Sequence, residues 1–138
     1  MGYTRYWNRT DKPITQEFVD EVNRIIAQAK AKGITVCGWD GTGEPEVTLD
    51  CIAFNGKAPH MNHEICGFDN DERSRGFACC KTARKPYDYV VNRVLMAAKR
   101  MGIVEDTSSD GQNSMTTDAE YEVYLEEIKK KYPQWFEK

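Results

Sequence analysis

The chain has 138 residues, of which 40% are hydrophobic and 30% charged, and its formal net charge is −3. This length and composition predict one globular domain, residues 1–138, built around a single core. The negative charge argues against general nucleic-acid binding, which needs a basic excess. No stretch has the apolar length of a membrane span, and the first residues show no signal-peptide pattern. We therefore expect a cytoplasmic protein without a membrane partner.

The cysteines agree with this location. They are Cys37, Cys51, Cys66, Cys79 and Cys80, and most have apolar neighbours. An odd number of cysteines in a chain without an export signal is typical of a reducing compartment. We expect them to be buried, reduced thiols.

The first half of the chain alternates between strand and helix patterns. An aromatic and β-branched stretch at residues 3–8 predicts a strand. The apolar spacing that follows predicts a helix, which Thr15 caps and Gly33 ends. Two further strands are expected at residues 34–39 and 47–54. The second should contain a bulge, because its alternation shifts part-way along.

The second half contains the clearest helix, at residues 86–101, where apolar side chains repeat at helical spacing without a gap. Before it, Asn55-Gly56 predicts a turn, and strands are expected around residues 64–68 and at 77–81. The other expected elements are a short strand at 103–104, a polar loop at 107–115, a helix from about residue 117 that Pro133 ends, and a docked tail at Trp135 and Phe136.

The expected order of elements is β-α-β-β-β-β-α-β-α. Several neighbouring strands are joined by connections too short for a parallel crossover, so most pairs should be antiparallel. We therefore predict an α+β fold: a largely antiparallel sheet of about five or six strands, with three helices mainly on one face.

The stretch at residues 77–88 joins a predicted strand to the clearest helix and concentrates cations. It places Lys81, Arg84 and Lys85 close to the hydroxyl of Thr82. A helix N-terminus has free backbone N–H groups and a partial positive charge, so cations there need another reason to be present. An anionic ligand is the usual reason. The stretch therefore predicts an anion site.

Charge is also unevenly distributed along the chain. Residues 81–100 are strongly basic, whereas residues 105–127 carry acidic side chains and no cation. Such asymmetry is typical of a partner surface or of a ligand steered by charge. Two solvated helix faces that attract each other would explain it equally well.

Four segments of the sequence resemble those of a known group of proteins. They are residues 3–7 (Tyr-Thr-Arg-Tyr-Trp), 38–45 (Gly-Trp-Asp-Gly-Thr-Gly-Glu-Pro), 80–88 (Cys-Lys-Thr-Ala-Arg-Lys-Pro-Tyr-Asp) and 108–111 (Ser-Ser-Asp-Gly). The chain resembles, in the same order, small uncharacterised proteins of tailed bacteriophages and prophages. The resemblance implies a phage or prophage source and implies that these loops matter together. Arg5 departs from the pattern, because those relatives commonly carry histidine there.

We expect these loops to build one site, since polar segments at the ends of strands are where sites form. Arginine and lysine suit phosphate, and an aromatic ring can stack on a base. The predicted binding residues are Trp39, Asp40, Thr42, Lys81, Thr82, Arg84, Lys85, Tyr87 and Asp110. The structural alternative is that Asp40 and Asp110 form salt bridges with Arg84 and Lys85 and hold the loops together.

Two other patterns resemble metal sites but fit them poorly. His60, His63 and Cys66, taken with a later cysteine, do not have the spacing of standard zinc ligands. Residues 106–111 imitate the start of a calcium loop, but Thr117 stands where a bidentate glutamate is required. We therefore predict no bound metal and no cofactor.

Three functions remain open. We favour an accessory protein that binds a phosphate-bearing small molecule, such as a nucleotide signal, or a host protein in a counter-defence role. The alternative is a small metal-assisted hydrolase or transferase acting on a phosphorylated substrate, with Asp40 and Asp110 as base or metal ligands. The third is a structural phage module that forms a homo-oligomer.

Overall fold

The computed structural model describes residues 3–110 and 118–133, and the predicted tail at Trp135 and Phe136 lies outside them. Within these residues the chain has the α+β fold that the sequence predicts. Its elements are β1 (Thr4–Arg9), α1 (Gln16–Ala31), β2 (Val36–Cys37), β3 (Glu46–Val47), β4 (Cys51–Gly56), β5 (Cys66–Asp69), β6 (Gly76–Lys81), α2 (Asp88–Arg100), β7 (Val104–Ser109) and α3 (Asp118–Lys131).

The strands form two antiparallel sheets rather than the single sheet expected. In the first sheet β1 lies between β6 and β7, so that Thr4 is opposite Lys81 and Arg5 is opposite Ser109. In the second sheet β4 pairs with β2, β3 and β5. Because β1 has a partner strand on each side, it places the start of the chain beside the basic stretch that follows β6.

The three helices begin and end close to where the sequence predicts. The hydroxyl of Thr15 accepts a hydrogen bond from the Phe18 N–H (3.1 Å) and caps α1, and Gly33 follows its end with a φ of 97°. The predicted apolar face of α3 is buried through Tyr121, Tyr124, Leu125 and Ile128. None of the described helices is both long and apolar enough to cross a lipid bilayer.

The stretch at residues 47–54 is a hairpin, not a bulged strand. Its two arms, β3 and β4, pair through Val47 and Ile52. Thr48 forms the turn, because its hydroxyl accepts hydrogen bonds from the N–H groups of Asp50 (3.2 Å) and Cys51 (3.0 Å). The shift in alternation that predicted a bulge is therefore the change from one arm to the other.

Two polar stretches expected as turn and loop belong to strands. Asn55 and Gly56 form the buried end of β4, and β7 continues through Thr107 to Ser109. The Asn55 side chain is only 2% exposed, and it bonds with the backbone of His63. A polar residue whose partners are distant in sequence looks like a turn residue when only its neighbours are considered.

The thiols are only partly as expected. All five cysteines are free, and Cys37, Cys66 and Cys80 are buried. Cys51 is partly buried, whereas Cys79 is exposed because it faces outward on β6. The expectation of a buried thiol is therefore wrong for Cys79.

A buried ion pair joins β1 to the start of α2. Arg5 donates from Nε and Nη2 to the two carboxylate oxygens of Asp88, at 2.7 Å each, and from Nη1 to Asn92 Oδ1 at 3.0 Å. Asp88 also accepts hydrogen bonds from the hydroxyls of Thr82 (2.8 Å) and Tyr124. We call these five residues the Arg5–Asp88 network. It connects β1, the β6–α2 turn, α2 and α3.

The network compensates both of its buried charges. Arg5 is 1% exposed and Asp88 is 0% exposed. Burial by itself lowers the pKa of Arg5, but the hydrogen bond and charge of Asp88 outweigh it and raise the pKa above its usual value. Burial, with Asp88 beside it, raises the pKa of Tyr124, which keeps that hydroxyl a donor. Asp88 also lies in the first turn of α2, where the helix dipole favours a carboxylate.

Replacing Arg5 by methionine should lower the free energy of unfolding by about 3–5 kcal/mol, because Asp88 is left buried without its counter-charge. Urea denaturation followed by circular dichroism measures the loss. The control is Arg73→Met, which breaks the solvent-exposed pair with Asp71 and should cost less than about 1 kcal/mol. Equal losses in the two variants would contradict the role of the network.

Candidate functional site

The basic stretch forms a turn between β6 and α2, and its members differ in exposure. Lys81 ends β6 with its side chain exposed, and Arg84 is exposed as well. Thr82 is 0% exposed, because its hydroxyl belongs to the Arg5–Asp88 network. Its N–H donates to the Tyr3 carbonyl at 2.9 Å. Thr82 therefore anchors the turn and presents no polar atom to a ligand.

The backbone of this turn is strained at two successive residues. Ala83 and Arg84 both have a φ of 56°, in the left-handed region that non-glycine residues rarely adopt. Each such residue costs about 1–3 kcal/mol and persists only where its surroundings hold it in place. Here the Ala83 N–H donates to the Tyr3 carbonyl (3.2 Å) and the Arg84 N–H to the Thr82 hydroxyl (3.3 Å). The Arg84 guanidinium lies 4.1 Å from the centre of the Tyr3 ring.

The start of α2 does not offer the free N–H groups that the sequence predicts for an anion. The N–H of Asp88 donates to the Lys85 carbonyl (2.8 Å) and that of Tyr89 to the Pro86 carbonyl (3.1 Å). The Val90 N–H donates to the Tyr87 carbonyl at 2.9 Å. The negative charge that the helix dipole attracts is the Asp88 carboxylate itself. The expected backbone cradle at this helix start is therefore closed.

The segment at residues 61–64 packs against the basic turn and is hydrogen-bonded to three of the predicted site residues. Lys85 Nζ donates to the Asn62 carbonyl at 3.1 Å, and the Tyr87 hydroxyl donates to the Glu64 carbonyl at 2.6 Å. The Lys81 N–H donates to Glu64 Oε1 at 2.7 Å. Burial raises the pKa of Tyr87, whose side chain is 1% exposed. Tyr87 is thus a buried support, not a ring on which a base could stack.

The Trp39 loop, which consists of residues 38–45, is connected to residues 61–64 through Asn55. The Asn55 side-chain amide donates to the carbonyls of Trp39 and His63, at 3.0 Å each. Asp40 accepts hydrogen bonds from the hydroxyl (2.8 Å) and N–H (3.0 Å) of Thr42, which lower its carboxyl pKa. The Trp39 side chain is 66% exposed. The loop is therefore fixed through its backbone and presents an indole to solvent.

Gly56 allows the three segments to approach each other. A Cβ atom on Gly56 would lie 1.9 Å from the Met61 carbonyl oxygen and 2.9 Å from Tyr87 Cδ1. No side chain fits at this distance, so only glycine permits β4 to meet residues 61–64 and the start of α2.

Asp110 lies on the other side of β1 and bonds only with that strand among the described residues. Its Oδ2 accepts a hydrogen bond from the Thr4 N–H (3.0 Å) and its Oδ1 from the Tyr6 hydroxyl (2.7 Å). This hydrogen bond raises the pKa of Tyr6. The last residue of the predicted motif there, Gly111, lies outside the described residues.

The predicted alternative was that salt bridges from Asp40 and Asp110 to the basic turn hold the loops together. Within residues 3–110 and 118–133, no ion pair joins Asp40 or Asp110 to Arg84 or Lys85. The two carboxylates are instead bonded to their own surroundings. They therefore give no specific support to a hydrolase that uses both as base or metal ligands.

The patterns that resemble metal sites have other structures. In the described part of the chain no three of the usual metal-binding side chains come together. Cys66 and Cys80 are both fully buried, and the neighbouring Cys80 thiol together with burial raises the pKa of Cys66. The expected calcium-like turn is mostly strand β7, and Thr117 lies outside the described residues.

The sequence predictions did not include most members of the Arg5–Asp88 network. Of its five residues, only Thr82 is among the predicted binding residues, and Arg5 stands out in the sequence only as a departure from the phage pattern. One sequence feature does point to them: Arg5 and Arg9 alternate with Trp7 and therefore share its face of β1. Since Trp7 is a core residue, both arginines must be buried and need partners.

No protein-family model, curated protein or solved structure matches the chain. The resemblance to phage proteins and the ligand-binding roles of the site residues stay predictions. The case for a function therefore rests on the geometry of the basic turn and the Trp39 loop.

Replacing Ala83 by glycine should raise the free energy of unfolding by about 0.5–1 kcal/mol, because glycine adopts a positive φ without strain. Chemical denaturation measures the change. The control is Ala78→Gly in β6, where the extended backbone needs no glycine and stability should fall by about the same amount. A loss of stability in both variants would show that the turn is not strained.

Replacing Gly56 by alanine should lower the free energy of unfolding by at least about 2 kcal/mol, because the new methyl group overlaps the Met61 carbonyl. Thermal and urea unfolding both measure it. Gly67→Ala is the matched control: its Cβ would lie 3.4 Å from the nearest atom, the Ile52 carbonyl oxygen, and stability should hardly change. A mild effect at Gly56 would mean that the contact with residues 61–64 can relax.

Proposed function

We propose that this protein acts by binding, and that its partner is a protein of the bacterial host cytoplasm, bound in a counter-defence role. The binding surface consists of Trp39, Lys81 and Arg84, and we call it the Trp39–Arg84 surface. We infer a phage source for the chain, and with it a bacterial host, from the resemblance to phage proteins. The surface follows from the exposed side chains that the motif loops carry.

The conformation of Arg84 is the observation that carries this proposal. Two successive residues, Ala83 and Arg84, have the left-handed backbone conformation, which is unfavourable for folding. Such backbone strain is concentrated at functional sites. The turn holds the guanidinium over the Tyr3 ring and leaves it exposed. Among the described residues no carboxylate forms an ion pair with it. An oriented cation without a counter-charge suits an acidic group on a partner.

The openness of the surface favours a macromolecule over a small ligand. Trp39 presents 66% of its side chain to solvent, and Lys81 is exposed at the end of β6. Tryptophan and arginine are the residues most enriched at the energetic centres of protein interfaces. The buried hydrogen bonds of Asn55 and Tyr87 hold both loops in place. A pre-ordered surface of this kind loses little conformational entropy on binding.

The test is affinity capture from host lysate with tagged protein, followed by quantitative mass spectrometry. The wild type and a control, Lys99→Ala on α2, should capture the same partner. Trp39→Ala and the double variant Lys81→Ala with Arg84→Ala should lose it. With the purified partner, the Kd should rise about 10-fold or more in each of these variants and should also rise with salt.

Two outcomes would overturn the proposal. One is that every captured protein is retained equally by all variants. The other is that light scattering shows a dimer of the wild type that Trp39→Ala dissociates, which would make the partner a second copy of this chain.

A further inference from the structure

A groove of about 620 Å³ lies between the three helices. Its volume falls within the range of about 300–1,000 Å³ that is usual for small-molecule sites. Polar side chains dominate its lining: Arg24, Gln28 and Lys32 from α1 and its end, Tyr89 and Arg93 from α2, and Tyr121 and Glu122 from α3. On α1 and on α2 the lining residues are four positions apart, so those of each helix lie on one helix face, and that face borders the groove. None of these residues belongs to the Trp39–Arg84 surface.

Tyr89 provides the first indication that the groove holds a ligand. The side chain is 1% exposed, and its hydroxyl is buried without a hydrogen-bond partner in the described structure. Its ring packs edge-on against Tyr121, with 6.1 Å between the ring centres. Buried hydroxyl groups are nearly always paired, so this one is an unused donor and acceptor in the wall of a polar groove.

The charges of the groove provide the second indication. Arg93 donates to Gln28 Oε1 at 3.3 Å and lies 4.4 Å from the centre of the Tyr121 ring. In the part of the chain that is described, no carboxylate forms an ion pair with it. Lys32 pairs with Glu122 at 2.6 Å, but both side chains are substantially exposed, so the pair can open at little cost.

We propose that this groove binds a phosphate-bearing small molecule of mononucleotide size. The planar guanidinium of Arg93 donates two hydrogen bonds to phosphate oxygens, for which its geometry is suited. Lys32 and Arg24 lie at the rim, where Lys32 is paired with Glu122 and Arg24 with Glu21. The Tyr89 hydroxyl donates to the ligand and thereby gains the partner that it lacks. This site is independent of the proposed host-protein surface.

The test uses four probes with the full chain: ATP, AMP, inorganic phosphate and, as an anion without phosphate, citrate. Thermal shift and isothermal titration calorimetry should show that a nucleotide binds. Arg93→Gln should raise its Kd about 10-fold or more, because a charged hydrogen-bond donor is lost. Tyr89→Phe should also raise the Kd without lowering the melting temperature of the free protein, since its hydroxyl has no partner to lose.

Two controls separate this site from the surface described above. Lys99→Gln, on an exposed part of α2 that does not line the groove, should leave the Kd unchanged. Arg84→Ala should leave it unchanged as well, so that a failure of one proposal does not imply failure of the other. The proposal is overturned if neither nucleotide binds, if citrate binds equally well through Arg93, or if the Arg93 and Tyr89 variants bind like the wild type.

Discussion

An arginine and an aspartate can both be fully buried only when each charge compensates the other, and Arg5 and Asp88 do so through two parallel hydrogen bonds. This requirement restricts the whole arrangement around them. A shift of β1 by one residue would turn Arg5 to the other face of the sheet and leave Asp88 unpaired. The pair therefore fixes the register of β1 against β6 and β7, and it fixes the start of α2 relative to that sheet. Asn92 and Tyr124 extend the same constraint along α2 and to α3.

The proposed binding surface depends on this buried pair. Thr82 donates its hydroxyl to Asp88 and, through its N–H, holds the Tyr3 carbonyl. The next two residues form the left-handed turn that displays Arg84. The apparent anion site at the helix start is thus divided into two parts with different roles. Its carboxylate and hydroxyl are buried and structural, whereas its arginine and one of its lysines point outward and are open to a partner.

Local features of the sequence were sufficient to predict the helices, because a cap such as Thr15 and the spacing of apolar side chains act between near neighbours. They were also sufficient for the fold class. They failed where a side chain has a distant partner. Asn55 has the sequence of a turn residue, yet it bonds with Trp39 and His63. Likewise, Tyr87 could have been a stacking platform by sequence, but its hydroxyl bonds with Glu64 and its ring is covered. The groove between the helices was missed because it requires knowing how three helices pack.

The central position of β1 has a consequence for how the chain is made. Thr4 and Arg5 pair with Lys81 and Ser109, so β1 is synthesised before both of its partner strands. At roughly 5–20 residues per second, β1 waits on the order of ten seconds on the ribosome before β6 and β7 emerge. An unpaired strand rich in aromatic residues is prone to aggregate during such a wait. Arg5 and Arg9 supply positive charge within it throughout that interval, and charge protects exposed strands from one another. The two arginines therefore reduce aggregation of the nascent strand before they are buried in the folded protein.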